Sequence, residues 1–107
     1  MPSLWAPSVQ AGRMSVKIVI PPGLRVFTND TGEIEVTGNT VGECLENLAT
    51  LFPMIGKTLF FQKGELFNFG HHKISIYLNG EDAYPDELVK PVKDGDTIHI
   101  LYSISGG

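Results

Sequence analysis

The chain has 107 residues, 42% of them hydrophobic and 19% charged, with a formal net charge of −4. That balance suits one folded domain with a modest core rather than a disordered chain, and the acidic charge argues against nucleic acid as a partner. No apolar run reaches a membrane span, and the single cysteine, Cys44, excludes an internal disulfide and suits a reducing, cytoplasmic compartment.

The opening "MPSLWAPSVQAGRM" has neither the charged leader nor the long apolar core of a secretory signal. Residues 1–13 are expected to form a flexible extension, Trp5 included, ahead of a domain over 14–107 for which Met14 is a natural beginning. Asn29-Asp30-Thr31 matches a glycosylation sequon, which carries little weight without a secretion signal. "SVKIVI" alternates, placing Val16, Ile18 and Ile20 on one face of a strand that Pro21-Pro22-Gly23 stops. "EIEV" places Ile34 and Val36 on one face of a second strand. The turn formers of "PPGLRVFTNDTG" predict a wide loop between two antiparallel strands.

"TVGECLENLATLFP" is the strongest helix in the chain. Thr40 with Glu43 three residues on is a capping-box pattern, and Val41, Leu45, Leu48 and Phe52 form one apolar stripe. Gly42 reads as an early soft spot and Pro53 as the exit. A short second helix is expected around 54 to 62, presenting Leu59 and Phe60 to the core until Gly64 breaks it. "HKISIYLNG" returns to alternation, with Ile74, Ile76 and Leu78 on one face before an Asn79-Gly80 turn. At most one helical turn is expected around Asp86 to Leu88. Asp94-Gly95-Asp96 is a tight turn into "TIHILYS", where Ile98, Ile100 and Tyr102 alternate. A helix across one face of a small mixed sheet is an α+β architecture.

The chain ends in "YSISGG". This ending, "PPGLRVFTN" after the first strand, the capped helix closing in "FP", "IYLNGED" at the third strand and "VKDGDTIHIL" follow one another in a specific order and spacing. Together they resemble the β-grasp, ubiquitin-like fold and, more narrowly, the MoaD/ThiS family of sulfur carriers, over roughly residues 15 to 107. Met54 to His72 is similar to the helical insertion of MoaD-type and CysO-type carriers, which the shorter ThiS type lacks. Family members often carry an alanine-valine-alanine type run before the glycines. Here Ile104-Ser105 stands there instead, which leaves the identity of the partner open.

The resemblance implies a small mixed sheet packed against one main helix plus a short helical insertion. It implies that Gly107 supplies the reacting carboxylate: a MoeB/ThiF-type adenylating enzyme couples it to AMP, sulfur displaces the AMP, and a thiocarboxylate results. Gly106 and Gly107 suit a narrow channel in which side chains would clash, and glycine permits backbone angles closed to other residues. The five residues from Ser103 to Gly107 reach about 17 Å when extended. ATP and Mg belong to the activating enzyme, and no cofactor or metal is expected on this chain, which is a protein substrate and not an enzyme. The sulfur acceptor is expected to be a MoaE-type large subunit, this chain serving as small subunit of molybdopterin synthase. A CysO-type carrier for cysteine synthesis, or a ubiquitin-like covalent modifier, is the alternative.

If Ile98, Ile100 and Tyr102 face the helix, then Val19, Tyr77, His99 and Leu101 face outward. Scattered apolar residues on a solvent face are ordinary. The family's use of this sheet face implies a docking patch of Tyr77, Leu101, Ile104 and Ser105, with Val19 beside them. Other features carry no chemistry. "GKT" at 56 to 58 lacks the earlier glycine of a phosphate-binding loop, Leu51 standing there, and it follows a helix. His71, His72 and His99 read as structural or solvent-facing, since adjacent residues on a strand point apart. Cys44 reads as a small buried filler, and Asp94 and Asp96 as turn formers. Asp82, Asp86 and Glu87 read as a solvated acidic edge.

Overall fold

The computed structural model describes residues 15–62, 65–66, 68–69 and 72–104. The expected extension over 1–13, and the tail Ser105, Gly106 and Gly107, lie outside the described residues.

Strand β1 (Ser15–Val19) is followed by a 3-10 helix (Pro22–Thr28), then β2 (Glu33–Thr37). The expected wide loop is therefore partly helical. Pro22 stands in its first turn and Leu24 and Thr28 are buried, so the connection closes over the core. Arg25 Nε donates to the Ile20 carbonyl at 2.9 Å, and Asn29 in the left-handed region (φ 53°) ends the helix. β1 and β2 are antiparallel, with Val16 opposite Val36 and Ile18 opposite Ile34.

Helix α1 (Val41–Leu51) buries Val41, Cys44, Leu45 and Leu48, the apolar stripe extended by the cysteine. The Glu43 amide donates to Thr40 Oγ1 at 3.1 Å, and the Glu43 carboxylate accepts from the Asn39 amide at 2.8 Å. The reciprocal bond of a capping box normally falls on the cap residue itself. Here the carboxylate reaches one residue further back, to Asn39, while the amides of Val41 and Val92 bridge this segment to the chain around Pro91.

Helix α2 (Pro53–Leu59) begins one residue earlier and ends three residues sooner than the 54 to 62 expected. Its core contribution is Ile55 and Leu59, both fully buried, with Phe60 partly buried as the chain turns extended. The insertion then continues as short strands: β3 (Phe60–Gln62) pairs with β4 (Glu65–Leu66), and β5 (Asn68–Phe69) joins the main sheet. These apolar-rich pieces are too short for periodicity to separate helix from strand. Gly64 lies outside the described residues.

β6 (His72–Leu78) turns through Asn79 (φ 53°) and Gly80 (φ 87°) into β7 (Glu81–Asp82), the two-residue hairpin that Asn-Gly favours. A second 3-10 turn (Glu87–Val89) precedes β8 (Thr97–Ile104). The sheet order is β2-β1-β8-β6-β5, with β7 also on β6. β8 runs parallel to β1 and antiparallel to β6. One sheet face carries Val16, Ile18, Ile20, Ile74, Ile76, Ile98 and Ile100 into a single core with α1 and α2. Mixed sheet, one main helix and helical insertion make this an α+β, β-grasp fold.

Candidate functional site

The last strand is the centre of the sheet. β8 is held through His72–Leu78 on one side and Lys17–Val19 on the other, so its course is fixed to Ile104, which pairs with His72. Its start is anchored by a turn network. Asp94 Oδ1 accepts from the Ser15 amide at 3.0 Å, and the Gly95 amide donates to the Ser15 carbonyl at 2.8 Å. The Asp96 carboxylate accepts from the Lys93 amide at 2.8 Å and from Asn79 Nδ2 at 3.1 Å, and these bonds hold its pKa below the usual carboxylate range. Both aspartates thus serve the turn, as their spacing around Gly95 suggests. The opposite end of β8 leads directly to Ser105-Gly106-Gly107.

The sheet face turned away from α1 carries a second set of side chains. His99 is opposite Val19 on β1 and Tyr77 on β6, so these three form one row across the sheet, continued by Asp82 opposite Tyr77. Leu101, opposite Ser75, stands in the next row toward the tail and is 43% exposed. Val19, Tyr77 and His99 are half-buried. Lys73, opposite Ser103, lies at the tail end with its Nζ 6.0 Å from the centre of the exposed Tyr84 ring. At the other end Lys17 and Glu33 form an exposed ion pair at 3.6 Å. The face therefore sets Val19, Tyr77 and Leu101 around His99, with charged residues at its rim.

Of the residues assigned to docking by resemblance, Tyr77 and Leu101 come together on this face, with Val19. Ile104 is placed only by its backbone, and Ser105 lies outside the described residues with Gly106 and Gly107. His71 lies outside them too, and His72 contributes its backbone pairing. His99 has a property that alternation alone does not disclose: its Nδ1 is enclosed and has no hydrogen-bond partner. The sequence pattern puts His99 outward, but its flanking by β1 and β6 follows from a pairing register that no local signal encodes.

Cys44 is not a nucleophile poised for chemistry. It is fully buried, and burial first, then the charges of Glu43 and Asp96, push its thiol up to about 11. Gly56, in the phosphate-loop look-alike, lies inside α2, where an added Cβ would come within 2.7 Å of the Ala49 Cβ. Close helix packing accounts for it. Among the described residues no group of three His, Cys, Asp or Glu could hold a metal ion, and no helix is long and apolar enough to cross a membrane.

Comparison with known proteins agrees with this geometry. The ThiS family matches residues 18–107. The chain is 30% identical over 97 residues to sulfur carrier protein CysO of Mycobacterium tuberculosis, covering 88% of this chain and all of the relative. It is similar to a chain in the crystal structure of the Amycolatopsis orientalis BexX/CysO complex, with a TM-score of 0.72 and 33% identity over 86% of this chain and 99% of the other. It is also similar to small archaeal modifier protein 1 of Methanosarcina acetivorans, with a TM-score of 0.73 and 29% identity over 89% and 98%. In sequence and in fold, the chain belongs to the ThiS/MoaD family of ubiquitin-like sulfur carriers.

Proposed function

We propose that Gly107 is the residue that carries the sulfur. A MoeB/ThiF-type enzyme binding Mg-ATP joins the Gly107 carboxylate to AMP and releases pyrophosphate. A hydrosulfide equivalent then attacks the acyl carbon; the C–S bond forms, the bond to AMP breaks, and a thiocarboxylate remains. The observation that supports this reading is the place of β8. A strand flanked by β1 over Thr97–His99 and held by β6 as far as Ile104 is followed by three residues ending in Gly106-Gly107, which can extend about 10 Å beyond it. The enzyme would take that tail while resting on the outer face through Tyr77, Leu101 and Val19.

The acceptor of the sulfur is a finer assignment. Similarity along the entire length of mycobacterial CysO favours a CysO-type acceptor, in cysteine synthesis, over a MoaE-type subunit of molybdopterin synthase. The likeness to an archaeal modifier protein favours a second reading, in which a lysine amine attacks the same adenylate and an isopeptide bond forms.

Intact mass after incubation with the adenylating enzyme, ATP and a sulfur donor tests the carrier step. Exchange of one oxygen for one sulfur is expected, absent when Gly107 is deleted; no exchange with an active enzyme overturns the reading. Offering the loaded protein to a cysteine synthase and to a MoaE-type subunit, and reading which one removes the sulfur, separates the acceptors. Gly-Gly remnants on cellular lysines would identify the modifier.

A further inference from the structure

His99 has no hydrogen-bonding task in the fold. Its Nδ1 is enclosed without a partner, and a polar atom buried in that state costs free energy that an apolar side chain of similar shape would not. Native structures keep few such groups, and each calls for a reason. The flanking residues sharpen the point: between Val19 and Tyr77, a leucine or valine would serve the sheet better.

The enclosed nitrogen also fixes what the ring offers outward. In the neutral imidazole one nitrogen carries the proton and the other accepts. A proton on Nδ1 would enclose an N–H with no acceptor, whereas a proton on Nε2 leaves only a lone pair enclosed. With the proton on Nε2, the half-buried ring carries a donor on the outer face of the sheet. A neutral carbonyl is the matching partner.

The same strand says which protein supplies that carbonyl. His99, Leu101 and Ser103 alternate outward along β8, the strand that leads in sequence to Gly107, the residue that the adenylating enzyme proposed above must reach. Resting on the sheet-face docking set out above, we propose that His99 is a specificity-determining residue for the adenylating enzyme: its Nε2–H donates to a carbonyl oxygen of that enzyme and fixes the register in which β8 is held. Val19, Tyr77 and Leu101 give the contact area, and His99 selects the orientation.

The test uses the full-length chain and the purified ThiF-type adenylating enzyme of the same organism, with affinity read by calorimetry and stability by thermal unfolding. Leu101→Asp should weaken binding by at least tenfold, as the control for the docking face. His99→Leu should melt at the same or a higher temperature yet bind about tenfold more weakly. His99→Gln, whose terminal amide reaches the Nε2 position and can donate, should recover most of that loss. Normal binding by His99→Leu beside weakened Leu101→Asp overturns the role of His99 and leaves the docking face standing. Normal binding by all three overturns the docking face itself. Equal weakening by leucine and glutamine overturns the donor assignment, and a lower melting temperature for His99→Leu overturns the claim that the fold has no use for the ring.

Discussion

At the scale of single residues, enclosure decides reactivity. Cys44 is fully buried, and its thiol ionises only near pH 11 against an ordinary 9.0. A thiol reagent at neutral pH should therefore leave the native protein untouched and label it in denaturant, which mass spectrometry reads directly. The linkage has a definite sign. The raised value makes the unfolded chain ionise first, so the contribution is intact below about pH 9 and lost as pH rises toward 11. Urea titrations across that window should show a steeper alkaline loss for the parent than for Cys44→Ala. Gly42 is the reverse of the soft spot its position suggests. An added Cβ would lie 2.7 Å from the Leu88 carbonyl oxygen, a backbone atom that cannot swing aside. Alanine gains about 1 kcal/mol in helix propensity, but the displaced backbone costs about 1–3 kcal/mol. Gly42→Ala should be net destabilised or close to neutral in urea, never stabilised by the full propensity gain.

Elements with a local physical signature were legible in the sequence. Thr40 and Glu43 mark the start of α1, the Asn79-Gly80 pair marks a hairpin, and alternation marks β1, β6 and β8. Thr40→Ala should cost about 1 kcal/mol, read from the urea midpoint, because the Glu43 amide at the helix start loses its acceptor. Elements that depend on tertiary contact were not legible. The 3-10 helix over Pro22–Thr28 owes its shape to burial of Leu24 and Thr28 and to the Arg25 bond to Ile20, and turn-rich composition cannot reveal either. The insertion is similar: "LFFQ" reads equally well as the end of a helix or as a strand, and pairing of Phe60 with Leu66 decides for the strand.

At the scale of the molecule, core and tail are separate in their effects. The described core lies between Val16 and Ile100, so a chain shortened by Gly106 and Gly107 should keep its melting temperature while losing sulfur loading. Ile100→Ala, in the fully enclosed layer, should cost about 2–5 kcal/mol. The outer sheet face was legible as a list of outward residues on β1, β6 and β8. That Val19, His99 and Tyr77 stand in one row required the sheet order, in which the first and last strands are neighbours. That order has a consequence for synthesis. A ribosome delivers β8 after every other described strand, yet β1 and β6 meet only through it. The nascent chain therefore cannot join its β2-β1 and β5-β6-β7 parts into one sheet until β8 has emerged, and its many sequence-distant contacts form late. A product cut short upstream of β8 cannot imitate the finished protein, so folding itself screens out chains that stop before the strand that bears the tail.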